Sequence, residues 1–259
     1  NLISYKYSFS EFLLEKHETK LSWHLISLND AIQFNNELID RFYNNINWRN
    51  FSKRSNVNWS ISLLDNYSND FNWGWDGLSS NLNLPWSENL LEHFYNKWYW
   101  SSSEPGGGLS LNQGLPWSEE FIKKYYRYWN WGQRGLWNTI AQNKAIFWNA
   151  RMIRKYKDDL VFGIHGISHA TKIPWSERLL NKYRNKWDWF WISKNYSIPW
   201  SDEIIERFFH RWDWKALSAN DGAIKYNKTF EKFYSKWDWQ GISQNQGIAF
   251  LDGFIDTNI

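Results

Sequence analysis

Residues 173–200 read IPWSERLLNKYRNKWDWFWISKNYSIPW. The stretch begins and ends on Ile-Pro-Trp because it is one full turn of a repeat. Residues 198–221, IPWSDEIIERFFHRWDWKALSAND, state the pattern again with different polar residues. Laid over itself at about 25 residues, the whole chain obeys it.

Each repeat is numbered from an anchoring aromatic at position 0: Phe9, Phe34, Trp59, Trp86, Trp117, Trp148, Trp175 and Trp200, with Lys225 in the ninth repeat and Phe250 opening a tenth. Position 1 is usually Ser (Ser10, Ser60, Ser87, Ser118, Ser176, Ser201), a helix N-cap, with acidic residues following where they suit the helix dipole. Position 5 is apolar in every repeat. An apolar residue before the cap and another four after it form a hydrophobic staple that fixes how the chain enters a helix. Positions 4, 5, 8 and 12 make one apolar stripe, in the seventh repeat Leu179, Leu180, Tyr183 and Trp187. This predicts a first helix of about 11 residues.

The same grammar then restarts. Position 13 is a capping type in most repeats (Asn47, Asn72, Asp188, Asp213, Asp238), position 12 before it is bulky, and position 17 is again apolar. Trp-Asp-Trp thus reads as a corner between two helices, the second of one to two turns. Asn near position 20, as in Asn81, Asn112, Asn195 and Asn220, suits a helix C-terminus, and Pro85, Pro116, Pro174 and Pro199 stop any continuation. A leucine-rich repeat of similar length needs apolar alternation at period two before its Asn; Trp-x-x-Leu-Ser-x-Asn has helical spacing instead. The expected fold is an all-α solenoid of about nine two-helix repeats, one array over residues 1–259, roughly 70–90 Å long at ordinary helix spacing.

Composition fits. Of 22 Trp, 19 fall on positions 0, 12 or 14, where short helices with few core positions must each bury more area. Those Trp are read as framework rather than as a sugar or lipid site, and the Ser at position 18 as small packing residues. With no Cys there is no disulfide, thiolate metal site or Cys nucleophile, a composition that fits the cytoplasm. No apolar run approaches the 18 residues of a membrane span. A net charge of +3 is too small to argue for a polyanionic partner by itself.

The third and sixth repeats carry two extra residues and the fourth and fifth six, all between positions 14 and 17. Such inserts mark either a binding face or tolerated surface loops. Residues 1–8 resemble the end of a second helix, and Phe254-Ile255 match positions 4 and 5 of an unfinished first helix. The array is therefore expected to be cut mid-repeat at both ends, where copies could associate end to end.

The Trp-Asp-Trp-x-x-Leu-Ser-x-Asn and Pro-Trp-Ser-Glu signatures resemble those of uncharacterised tryptophan-rich two-helix repeat proteins of microbes and viruses. The resemblance spans the whole chain and implies the helical repeat fold. It brings no activity, ligand or catalytic residue.

Chemistry is not visible in the residues. His165 and His169 have a four-residue spacing that could place two ligands on one helix face, but no Glu follows His165 and no third ligand is evident. Gly106-Gly107-Gly108 lacks the Gly-Lys-Ser/Thr ending of a phosphate loop. Serines have no His and acid at fixed spacing. The chain is expected not to be an enzyme and to hold no cofactor or metal.

Function is therefore sought among residues the framework does not dictate. Around positions 15, 16, 19, 21 and 22 and the inserts stand the cations Arg49, Lys53, Arg134, Lys144, Lys172, Lys194 and Lys215, with Arg54 at the usual Asn position, against Asp30, Asp76, Glu104 and Asp221. Amides such as Asn50, Gln240 and Gln244 are interspersed. Three Trp fall off the framework: Trp75, Trp137 and Trp191. The first two are expected to shield their own enlarged loops or to join the binding edge. Trp191 has no insert to cover and is assigned, with Lys194 and Lys215, to a binding surface. The slight charge excess favours a protein partner, with single-stranded nucleic acid read along one edge as the alternative.

Overall fold

The computed structural model describes residues 6–100, 108–132, 139–224 and 228–246. Among the described residues every regular element is helical and no strand occurs. The chain divides into two compact units, Asn1–Ala145 and Ile146–Ile259. In the first, the α-helices are α1 (Glu11–Lys16), α2 (Trp23–Ile26), α3 (Asn36–Arg41), α4 (Trp48–Phe51), α5 (Ile61–Asn66), α6 (Glu88–His93) and α7 (Glu119–Lys124). In the second they are α8 (Ala150–Lys155), α9 (Glu177–Lys182), α10 (Trp189–Lys194), α11 (Asp202–Arg207), α12 (Trp214–Ser218), α13 (Lys228–Lys232) and α14 (Trp239–Gln244). Of the residues expected to belong to cut repeats, 1–8 and 250–259, residues 1–5 and 250–259 lie outside the described residues.

The caps fall where the sequence places them. Ser87 Oγ accepts from Leu90 N at 3.2 Å, Ser118 Oγ from Phe121 N at 3.0 Å, and Asn35 Oδ1 from Leu38 N at 2.8 Å. The expected length of the first helix is corrected, from about 11 residues to six. It stops because the aromatic at position 8 leaves helical backbone for the bridge region, with Phe94 at φ −109°, ψ 27° and Tyr183 at φ −113°, ψ 24°. The next N–H then bonds three residues back instead of four: Tyr95 N donates to Glu92 O and Arg184 N to Asn181 O. The carbonyl of position 5 is left without its helical partner.

In the five repeats with Trp at position 12, tryptophan supplies that partner. The position-12 indoles reach back seven residues to it, Trp98 Nε1 to Leu91 O at 3.1 Å and Trp187 Nε1 to Leu180 O at 3.1 Å, and Trp129, Trp212 and Trp237 do the same. The position-14 indoles of Trp23, Trp73, Trp100, Trp131, Trp189 and Trp214 reach back five, as Trp189 Nε1 does to Arg184 O at 2.9 Å. The position-0 indoles of Trp59, Trp86, Trp117, Trp175 and Trp200 bond a carbonyl at the end of the preceding segment, as Trp200 Nε1 does to Asn195 O at 3.0 Å. A chain of six-residue helices has many orphan carbonyls. Trp covers large apolar area and satisfies one of them at the same time.

The second segment is an α-helix in repeats without inserts (α2, α4, α10, α12, α14). In repeats with inserts it is a 3₁₀ turn: Leu78–Ser80, Gly108–Leu111, Ile140–Gln142 and Ile167–His169. One bond survives in both. Ile192 N donates to Asp188 O at 2.9 Å as an ordinary helical bond. With inserts between them, Ile140 N still reaches Asn130 O and Ile167 N still reaches Val161 O, both at 2.8 Å. In the third and sixth repeats the extra residues are thus looped out from between the two ends of one helical hydrogen bond, Leu78 N to Asn72 O and Ile167 N to Val161 O. In three of the four repeats with inserts position 16 is glycine, where a Cβ on Gly166 would lie 2.1 Å from Val161 O and Gly108 sits at φ +58°; the fifth repeat has Thr139 there instead.

Position 18 corrects a second expectation. Its Ser is no mere spacer. Ser193 Oγ donates to Trp189 O at 2.6 Å and accepts from Asp213 N, one repeat later, at 3.1 Å. Ser218 joins Trp214 O to Asp238 N in the same way, and Ser27 joins Trp23 O to Asn47 N. The Asn at position 20 completes the rung. Rather than only ending its helix, it donates backward to the preceding repeat, as Asn112 Nδ2 does to Ser79 O at 3.0 Å and Asn220 Nδ2 to Ser193 O at 2.8 Å. The fifth repeat has Ala141 at position 18 and the sixth has Ala170 at position 20, neither of which can form its side-chain bond. On the outer surface a basic residue at position 7 meets acids of the preceding repeat, as Lys124 does Glu88 at 2.6 Å and Glu92 at 2.5 Å. Such exposed pairs add little stability each.

Candidate functional site

Arg54, read as an edge cation at the Asn position, is 2% exposed. Its guanidinium donates to Ile26 O at 3.3 Å and Ile32 O at 2.5 Å and lies over the rings of Phe34 and Phe51, 4.9 and 5.5 Å from their centroids. Burial lowers its pKa to about 10. It is an enlarged version of the Asn rung, filling space beside Phe34 where later repeats have an indole. Asn50 is likewise buried, its Nδ2 donating to His24 O at 2.9 Å.

Arg49, exposed on α4, and Lys53, exposed just after it, are held by Asp76 from the insert of the third repeat. Asp76 Oδ2 accepts from Arg49 Nε at 2.8 Å and Nη2 at 2.6 Å, with Lys53 Nζ at 3.6 Å. Asn72 Nδ2 donates to its other oxygen at 2.7 Å. Burial pushes the Asp76 carboxyl up, but the Asn72 amide, Arg49 and Lys53 together outweigh it and hold the group below its ordinary value. Trp75, beside it, is half-buried, and its carbonyl accepts from Ser80 Oγ. Arg134 and Trp137 lie outside the described residues.

Trp191, Lys194 and Lys215 come together on the second unit. Lys194 and Lys215 line an open cleft of about 490 Å³ that crosses α10, α12 and α14. Its walls come from positions 15 and 19 of successive helices: Phe190 and Lys194, then Lys215 and Ala219, then Gln240 and Gln244. Position 16 explains why there is space. It is Trp191 in the seventh repeat but Ala216 and Gly241 in the next two, and these two small residues line the cleft with Asp213 and Asp238. A Cβ on Gly241 would lie 3.0 Å from Ser218 Cβ and 3.2 Å from Ala219 N, so α12 and α14 run close together there. Comparing position 16 across repeats was the sequence signal that could have located this cleft.

Trp191 does not itself line the cleft. Half-buried, its ring lies against His169, centroids 3.7 Å apart at 34°, and meets Phe190 edge-on at 5.0 Å. Lys194 Nζ sits 4.6 Å from the Phe190 centroid and 5.4 Å from that of Trp191. Trp191 thus props the aromatic ledge on which the Lys194 ammonium rests. Burial lowers the pKa of His169; Asp188 opposes the shift and His165 adds to it. His165 has φ +63° in the insert while His169 is in the 3₁₀ turn, so the two are not on one helix face.

The charges of the cleft balance, Lys194 and Lys215 against Asp213 and Asp238. Both Asp are caps: Asp213 Oδ1 accepts from Ala216 N and Asp238 Oδ2 from Gly241 N, each at 2.8 Å. Among the described residues neither Lys enters an ion pair, no group of three metal-ligating side chains occurs, and no helix is long and apolar enough to cross a membrane. No known family pattern, curated protein or solved structure matches this chain.

Proposed function

We propose that this chain is a non-catalytic scaffold: an α-solenoid of about nine two-helix repeats, of the tryptophan-rich kind its signatures resemble, that holds a protein partner along its second-helix surface. The ladder of Ser and Asn side chains supports stacking of repeat on repeat within each unit, which gives a stiff surface suited to recognition. The observation that carries the choice of partner is the balanced cleft on α10, α12 and α14. A nucleic acid brings a phosphate per nucleotide and favours a uniformly basic groove, whereas this cleft alternates Lys194 and Lys215 with Asp213 and Asp238 and so suits spaced anions between neutral donors. Peptide chains carry donors, carboxylates and apolar groups together, matching aspartate, lysine, amide and Phe190.

The test is selection from a random peptide library, with each isolate rechecked on Ala219→Trp, an exposed position that fills the cleft. Single-stranded RNA and DNA are titrated in parallel at low and physiological salt. Enriched peptides that lose binding to the Trp variant support the scaffold reading. RNA or DNA binding that persists at physiological salt, with no peptide enriched, overturns it in favour of nucleic acid.

A further inference from the structure

The first unit already contains a carboxylate bound at the positions that line the cleft of the second. In the second repeat, positions 15 and 19 are Arg49 on α4 and Lys53 just after it, and Asp76 lies on both. That carboxylate is delivered by the two-residue insert of the following repeat. The eighth and ninth repeats, which follow α10 and α12, have no insert. There the equivalent cations, Lys194 at position 19 of α10 and Lys215 at position 15 of α12, are exposed and face open space instead of an internal acid.

We propose that this cleft binds an acidic peptide segment of a protein partner, whose carboxylates take on Lys194 and Lys215 the place that Asp76 takes on Arg49 and Lys53. The inference rests on the scaffold reading above and names the chemistry of its partner. Three features suit such a segment. Lys194 rests on the Phe190 and Trp191 rings, which restricts its motion and so lowers the entropy cost of pairing. The caps use one oxygen each of Asp213 and Asp238, leaving the other to accept N–H groups of an extended backbone. Helices about 8–10 Å apart, met by a strand rising about 3.3 Å per residue, place acidic residues two to three apart on successive helices.

The probe is a fluorescein-labelled peptide of about twelve residues carrying Glu at every second or third position among Ser, Gly and Leu. Its controls are the same peptide with Gln for each Glu and a single-stranded uridine oligomer of equal length. Anisotropy should show the Glu peptide bound at least about tenfold more tightly than the Gln peptide. Lys194→Gln and Lys215→Gln, both at exposed positions, should each remove most of that difference, and Ala219→Trp should abolish binding. Lys194→Glu with Lys215→Glu should reverse the preference toward a peptide with Lys in place of Glu.

Equal binding of the Glu and Gln peptides, both lost on Ala219→Trp, would overturn the acidic assignment while leaving a peptide cleft. A Glu-peptide affinity unchanged by the two Gln variants would also overturn it, placing the acid elsewhere. Tighter binding of the uridine oligomer than of either peptide, still present at physiological salt, would overturn both this inference and the scaffold reading.

Discussion

The Trp191 ring lies 3.7 Å, centroid to centroid, from the His169 ring of the preceding repeat. The contact joins a helix without an insert to a 3₁₀ turn that follows one, and it keeps the imidazole away from water. Trp191→Ala should cost about 1–2 kcal/mol of stability, as loss of a half-buried aromatic does. It should also let the His169 pKa rise back toward its ordinary 6.5, read by proton NMR titration. The sign for the intact chain follows. A depressed folded-state value means His169 supports stability above 6.5, and that support is lost as pH falls through its folded value. A His169 pKa unchanged in the variant would mean that Trp191 does not shield it.

Ser193 holds two groups at once, Trp189 O and Asp213 N. Ser193→Ala leaves the Asp213 N–H without that acceptor in a tightly packed place, at a cost of about 1–3 kcal/mol. Native-state hydrogen exchange should show the loss concentrated in α10 and α12, with α8 little affected. Uniform loosening of the second unit would contradict a structure stabilised between neighbouring repeats.

Trp187→Phe separates the two roles of a framework Trp. It keeps an aromatic ring but removes the donor to Leu180 O. A buried carbonyl left unpaired costs about 1–3 kcal/mol, whereas Trp187→Ala, which also opens a cavity, should cost about 3–5 kcal/mol. Chemical denaturation of the two variants gives both values. A Phe variant as stable as the native chain would reduce the indole to its area alone.

Asp76 makes the first unit sensitive to acid. Its carboxyl is held below the ordinary 3.8, so its ties to Arg49 and Asn72 stabilise above that value and are lost as pH falls through the folded one. Asp76→Asn should abolish this part of the acid response and free Arg49 and Lys53. Carbon-detected titration of the Asp76 carboxyl, together with exchange at Leu78 N, would reveal a pKa at or above 3.8 if the assignment were wrong.

The sequence alone determined the local grammar of this chain. Caps, staples and anchors act over three to five residues, so Ser87, Asp213 and Trp200 carry their roles wherever the repeat places them. Groups 20 to 33 residues apart settle the rest, and a periodic pattern does not say which of two polar groups at such distance will meet. Ser193 reads as a small residue until Asp213 N is seen on it, 20 residues later. Arg54 reads as an exposed cation until Ile32 O, 22 residues earlier, draws it inside. Asp76 crosses 27 residues to cover Arg49, while no insert reaches Lys215, and that difference leaves the cleft open. Helix length, too, was a tertiary outcome. The residue at position 8 turns out of helical backbone after six residues, as Phe42, Tyr67 and Phe94 do, whether position 12 is an indole or, as at Ile46 and Phe71, is not.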